Sequence, residues 1–340
     1  MKIVQTFWSC KIDDMTTLKN FKAGWLTNYH HYMGWMLSCL QLRCFYDEVE
    51  LVTDALGKQL LIDELGLPYT SVRVVLDDEL SDCPKQFWAT PKLLAYHIQE
   101  KPFIHIDGDI FITKSFSNDI EKAEVISQYV EDDFPCYNLA LNAARSYNLS
   151  IPDEILLQRE KIKKPIASNM GIFGGNNLEF INQYSNKALD FSKEYYSVAT
   201  INNLPFFNCL FEQELMYCMA QNESVNVNYF FDMYNRTDKY HFKDPLAQLD
   251  AKGTNEFGYV HLVGSNKRNY YNCMKLSYVL RKKFPTYYER LNRTIENKNS
   301  IKLFLEFGIK VFLWNYIVDV GSIYRFLITR YLNKKFNFQN

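Results

Sequence analysis

The sequence predicts an α/β protein whose first part is a doubly wound sheet of the nucleotide-binding kind. Two observations carry this. Short apolar strand patterns alternate with helical patterns from Lys2 onward, and one strand, Phe103-Ile104-His105-Ile106, is nearly continuously apolar, as a parallel strand covered on both faces must be. A third observation says where chemistry should lie. That strand runs into Asp107-Gly108-Asp109, and function in open α/β sheets collects at the carboxyl ends of strands.

Taken in order, Lys2 to Trp8 reads as the first strand and Gly24 to Phe45 as an aromatic-rich helix. Glu48 to Thr53 is strand, Gly57 to Leu65 helix, Ser71 to Leu76 strand, Thr90 to Gln99 helix, and Phe103 to Ile106 the acid-bearing strand. A strand at Ala123 to Tyr129 and a loop-rich region around Pro135 to Lys164 come next. Then follow an extended stretch Ile166 to Gly175, helices near Leu178 to Ser192 and Glu212 to Gln221, and a strand Gly258 to Val263.

The polar run Asn292 to Ser300 marks a boundary between a main domain, 1–291, and a C-terminal helical extension, 292–340. Two amphipathic helices are expected there, broken near Gly321-Ser322. Lys302, Glu306 and Lys310 stripe the first; Asp319 precedes the second, in which Arg330 and Lys334 are also four apart. No uninterrupted apolar stretch reaches the roughly 20 residues of a spanning helix. The extension is therefore either a peripheral membrane contact through 301–335 or a helical cap or dimer contact.

At 340 residues and a net charge of −1, the chain has ample core but no basic excess to neutralise a phosphate backbone, so nucleic acid is not an expected partner. Its eight cysteines are scattered without a Cys-x-x-Cys pair, which fits a reduced, cytoplasmic setting. Met1 to Trp8 resembles a first strand more than a signal peptide, so sequons such as Asn235-Arg236-Thr237 are expected to carry no glycan.

On an extended chain Asp107 and Asp109 point to one side, and Gly108 lets a ligand approach the backbone. Two hard oxygen ligands suit Mg²⁺ or Mn²⁺. Asp-Gly is also a hairpin signal, but Ile110-Phe111-Ile112 continues as apolar strand, which fits a short break in a buried strand better than a surface turn. Tyr259-Val260-His261-Leu262-Val263-Gly264-Ser265-Asn266-Lys267 is a second candidate. Its imidazole combines well with carboxylates, and a glycine-permitted turn carrying lysine can meet a phosphate; a lone histidine in an apolar strand is more often a hydrogen-bonded core residue.

An Asp-x-Asp ending an apolar strand, an Asn-x-Gly segment (Asn169-Met170-Gly171), an acid-Gln-acid element (Glu212-Gln213-Glu214) and a late His-x-x-Gly-x-x-Lys occur in that order. Together they resemble the nucleotide-sugar-dependent GT-A glycosyltransferases, and most nearly the retaining, glycogenin-like and galactosyltransferase-like family 8. The likeness spans roughly Lys2 to Lys267. It implies a Rossmann-like mixed sheet flanked by helices, with the amphipathic C-terminal helices outside it. The implied reaction moves a sugar from a nucleotide-diphosphate donor, uridine-linked, to a glycan, lipid-linked or surface-polysaccharide acceptor. The implied cofactor is Mn²⁺ or Mg²⁺, held by Asp107, Asp109 and His261. Asp107 and Gly108 would also lie near the donor, Gly264 and Lys267 would touch the diphosphate, and Lys267 would support its departure. Asn169 would hold the transferred sugar and Gln213 would lie close to the reacting carbon. Lys92 matches a basic residue that reaches the donor, and Thr53-Asp54 the base-binding edge. The implied location is cytoplasmic, either free or peripheral on the inner membrane face.

Two departures from the family pattern matter. Arg268 follows Lys267 where the family has an aromatic residue, and the acid-Gln-acid element carries the longer glutamates. Glu212 or Glu214 could therefore serve as general base in an inverting reaction; a surface helix acid is the plain alternative for whichever points outward. The helical spacing of Trp25, Tyr29, Tyr32 and Met36 makes them core, or else a stacking platform for acceptor sugars with His30 and His31 at its rim. Phe206-Phe207 and Tyr229-Phe230-Phe231 invite the same two readings. Two further functions compete. A nucleotidyltransferase making activated sugars would use the same kind of sheet but needs a glycine-rich phosphate loop, which is missing after Trp8. A non-catalytic carbohydrate-binding or assembly protein would keep the fold without turnover.

Overall fold

The structure, a computed structural model, describes residues 1–199, 206–234 and 258–295. The sequon at Asn235 and the helices expected over 301–335 lie outside the described residues. Ten strands are described: β1 (Lys2–Phe7), β2 (Val49–Thr53), β3 (Ser71–Val74), β4 (Phe103–Ile106), β5 (Ile110–Ile112), β6 (Val125–Asp132), β7 (Ile166–Ser168), β8 (Ile172–Gly175), β9 (Val227–Tyr234) and β10 (Tyr259–His261).

Eight of them form one mixed sheet in the order β3-β2-β1-β4-β8-β6-β7, with β9 beside β6. β1 to β4 are mutually parallel, β8 runs against both β4 and β6, β7 runs against β6, and β9 runs with it. The mixed, helix-flanked sheet expected from the sequence is what forms. β5 and β10 leave this sheet and pair antiparallel with each other, His261 opposite Ile110.

Phe103, Ile104 and Ile106 of β4 are wholly buried, and each such side chain removed from water contributes roughly 1.5–3 kcal/mol before entropy is counted. One face of the sheet packs on the helices Thr90–His97 and Leu178–Glu194; the other carries the helix Asn28–Phe45 and, over it, Tyr270–Lys283 and Pro285–Thr294. The expected division at 291/292 falls inside this last helix. Among the described residues no helix is long and apolar enough to cross a membrane.

Several elements differ from expectation for local reasons. The first long helix starts at Asn28 because Ala23 and Gly24 take positive φ (41° and 80°) and Thr27 caps the helix through His30 N. The stretch 55–64 is a short helix followed by a π-type turn, Gln59–Glu64. The region 135–164 is two helices, Pro135–Ser146 and Asp153–Ile162, rather than loop. Proline is favourable at a first helical position, and Tyr137, Ala140, Leu141 and Ala144 make its buried stripe. Ile166 to Gly175 splits into β7 and β8, and β9 adds a strand where only an aromatic cluster had stood out. Trp25, Tyr29, Tyr32 and Met36 are buried, which makes them core and removes the stacking-platform reading.

Candidate active site at the carboxyl edge of the sheet

β4 ends at Ile106, and the chain then turns. Ile110 N donates to Asp107 O at 3.1 Å, closing a turn over Asp107–Ile110 that passes the chain from the large sheet into β5. The two carboxylates converge because of this turn, not because they share one face of an extended strand. Gly108 is required by packing: a Cβ there would lie 2.6 Å from the Trp35 indole. Trp35 is itself fixed, donating its Nε1–H to His31 Nε2 at 3.1 Å, while His31 Nδ1 meets Phe21 O at 3.2 Å. His31 is thus a neutral core residue, and burial holds its pKa down at about 3.

β10 brings His261 beside this turn. One ligand atom from each of Asp107, Asp109 and His261 lies within 4.8 Å of the others. After β10, Gly264 takes φ 57° with open space around its Cα, and the chain tightens into a 3₁₀ turn, Gly264–Arg268. That turn sends Lys267 back, and its Nζ lies 2.5 Å from Asp109 Oδ2. From the other side Lys92, in the helix Thr90–His97, reaches Asp107 at 3.0 Å and Glu212 at 2.6 Å and donates to Met170 O.

These charges decide the protonation states. Burial would raise Asp109, but the Lys267 ammonium and His261 outweigh it and hold Asp109 well below the carboxylate range. Burial raises Asp107, helped by the negative charge of Asp109 and opposed by Lys92. Burial would lower Lys92, and its two carboxylate partners more than reverse this. Glu212 is pushed up to about 7, first by burial and further by Asp107, against the pull of Lys92. His105 is kept well below the usual histidine range by burial and by Lys92.

The donor set fits a divalent ion. Two carboxylates and an imidazole are the ligand types that Mn²⁺ or Mg²⁺ accepts. His261 Nε2 and Asp109 Oδ1 face each other 3.4 Å apart, an arrangement in which both can reach one cation.

The acid-Gln-acid element lies on a π-type turn, Cys209–Glu214, and its members diverge. Glu212 turns to Lys92; Gln213 Oε1 lies 2.6 Å from the Tyr137 hydroxyl; Glu214 makes a two-pronged ion pair with Arg159, whose NH2 is 3.0 Å from Oε2. Both glutamates are buried, so neither is the outward-facing helix acid. Tyr137 also meets Glu131 Oε2 at 2.6 Å, and Glu131 Oε1 accepts from Asn169 Nδ2 at 2.8 Å. Asn169 Oδ1 accepts from Gly171 N at 3.1 Å, so both ends of the Asn169 amide are engaged within the protein.

A cleft of about 310 Å³ opens at the same edge of the sheet, with Trp8, Ser9, Lys11, Asp54 and Leu76 in its wall. Asp54 caps the helix after β2, accepting from Gly57 N at 2.7 Å and from Ser9 N at 2.6 Å. Thr53 is wholly buried and does not line the cleft. In place of a glycine-rich loop after β1, Cys10 and Lys11 take consecutive positive φ angles (56° and 57°).

Gln128, Glu131, Tyr137, His105 and Arg159 did not stand out in the sequence. Ser127, Gln128 and Glu131 were the available signal, polar residues set among the apolar ones of a single strand, whose satisfaction had to come from elsewhere in the fold.

A family model described as Family of unknown function (DUF6734) matches residues 1–294. No curated protein matches. Among solved structures, mouse xyloside xylosyltransferase 1 in its apo form is 10% identical, with 76% of this chain and 96% of that one covered and a TM-score of 0.37. The galactosyltransferase LgtC in complex with donor and acceptor sugar analogs is 12% identical over 87% of this chain and 97% of that one, with a TM-score of 0.38.

Proposed function

The chain belongs to the Family of unknown function (DUF6734), and for it we propose a metal-dependent glycosyltransferase of the GT-A, family-8-like kind. The donor is a nucleotide-diphosphate sugar, uridine-linked, and the acceptor a glycan, lipid-linked sugar or polysaccharide precursor. The observation that carries this reading is the cluster of Asp107, Asp109 and His261 flanked by two ammonium groups, Lys92 and Lys267. Hard ligands beside paired lysines make a site for a diphosphate with its divalent counter-ion.

When bound to Asp107, Asp109 and His261, a divalent ion supplies charge stabilisation for the diphosphate without proton transfer. The protein's own groups do the rest. In the reaction the sugar C1–O bond to the diphosphate breaks and its electron pair leaves on the phosphate oxygen. The acceptor hydroxyl makes the new C1–O bond, its proton passing to the released nucleoside diphosphate or to solvent. Lys267 and Lys92, now neutralising the aspartates, are positioned to exchange those partners for phosphate oxygens as negative charge grows there. The Gln213 amide, oriented by Tyr137, stabilises positive character at the sugar carbon.

Glu214 is excluded as general base in this reading because both of its oxygens are committed to Arg159. The cleft walled by Trp8, Lys11 and Asp54 takes the nucleoside. The absence of a glycine-rich loop at Cys10-Lys11 speaks against a nucleotidyltransferase.

The activity test is hydrolysis of UDP-glucose and UDP-galactose with Mn²⁺ and with chelator. Metal-dependent release of UDP, lost in Asp109→Asn, supports the enzyme. Glycan binding that needs neither nucleotide nor metal would instead establish the non-catalytic reading.

A further inference from the structure

Gln128 lies on β6, 2% exposed, and its Oε1 stands 2.8 Å from His261 Nδ1. Nothing in the sequence joins these residues, which are 133 positions apart. The space between them is made by Gly171. A Cβ at that position would fall 2.5 Å from Gln128 Oε1, 2.6 Å from His261 Cε1 and 2.9 Å from His261 Nδ1. The backbone at Gly171 is therefore the floor on which amide and imidazole lie together.

The amide presents its oxygen, not its nitrogen, to the imidazole. With Oε1 as the atom at 2.8 Å, Gln128 offers a carbonyl oxygen to His261 Nδ1. A carbonyl accepts and cannot donate, so His261 Nδ1 carries the proton. Nε2 is then the unprotonated atom turned to Asp109 Oδ1 at 3.4 Å, with its lone pair available to a cation.

We infer that Gln128 is a positioning residue for the divalent ion, fixing His261 as the Nδ1–H form so that Nε2 faces the aspartates. The inference rests on the metal-site reading above and adds to it an outer partner whose loss weakens the ion without removing a ligand. Outer partners of ligating histidines typically contribute 10–100-fold in metal affinity.

The test is titration of the full-length protein with Mn²⁺ alone, followed by electron paramagnetic resonance, for wild type, Gln128→Leu and Gln128→Glu. Gln128→Leu is expected to weaken Mn²⁺ binding 10–100-fold. Gln128→Glu keeps an acceptor opposite Nδ1 and is expected to stay within a few-fold of wild type. Equal binding by wild type and Gln128→Leu overturns the inference. Nitrogen NMR of His261 in the metal-free protein reads the same geometry independently. Protonated Nδ1 in wild type and in Gln128→Glu, giving way to Nε2–H in Gln128→Leu, is expected; Nε2–H as the sole form in wild type contradicts it. Failure of the wild type to bind Mn²⁺ would overturn the metal reading itself, and the NMR result would still decide whether Gln128 holds the tautomer.

Discussion

Lys267 Nζ stands 2.5 Å from Asp109 Oδ2, so an ammonium already occupies one coordination direction of a proposed metal ligand. A cation entering beside Asp109 meets that charge. Two unit charges about 4 Å apart at an effective dielectric near 20 differ by several kcal/mol before the side chain relaxes, and relaxation of a lysine one-quarter exposed leaves only part of this. Lys267→Met is therefore expected to bind Mn²⁺ alone roughly tenfold more tightly than wild type and to bind UDP with Mn²⁺ more weakly. Calorimetry with each ligand checks both signs. Weakened Mn²⁺ binding in the variant would mean that Lys267 organises Asp109 instead of competing at it.

Glu212 makes stability depend on pH. Its carboxyl is raised from 4.5 to about 7, so the folded state holds a proton that the unfolded chain releases near pH 4.5. The sign follows from the proton count: this contribution is fully present below about pH 4.5 and is lost as pH rises through 7. The loss is on the order of 3 kcal/mol. Urea unfolding at pH 5 and pH 8 is expected to show a smaller decline in Glu212→Gln than in wild type. Parallel declines would remove Glu212 as the source.

Glu214 and Arg159 form a buried, two-pronged pair. Breaking such a pair from one side leaves an uncompensated charge and costs about 3–5 kcal/mol. Arg159→Ala is expected to lower the urea midpoint accordingly while the folded protein keeps its affinity for UDP and Mn²⁺. Loss of nucleotide binding at unchanged stability would give Glu214 a direct role at the donor.

What the sequence disclosed depended on how local each cause was. The parallel strands β1 to β4 were legible because each apolar run and its flanking turn are contiguous. Asp107, Asp109 and His261 could be named because each ends or sits in a recognisable strand, yet strand pleat alone gives the wrong reason for the convergence of the aspartates. The β-turn at Asp107–Ile110 sends the chain into a different sheet, and only the pairing of β5 with β10 shows it. The helices within 135–164 were obscured by Pro135 and by the turn formers around Asn148, although Tyr137, Ala140, Leu141 and Ala144 keep helical spacing. Partners supplied across the fold were not legible. Glu214 with Arg159 and His261 with Gln128 join elements 55 and 133 residues apart, and no local pattern in either segment anticipates the other.

The central claim is that Asp107 and Asp109 hold the ion through which a nucleoside diphosphate binds. Calorimetric titration with UDP and with GDP, with and without Mn²⁺, on wild type and on Asp107→Ala/Asp109→Ala tests it most directly. The account predicts UDP binding that requires Mn²⁺ and is lost in the double variant, with GDP binding weaker or absent. Wild-type protein that binds neither nucleotide, or a double variant that binds UDP as well as wild type does, would contradict it.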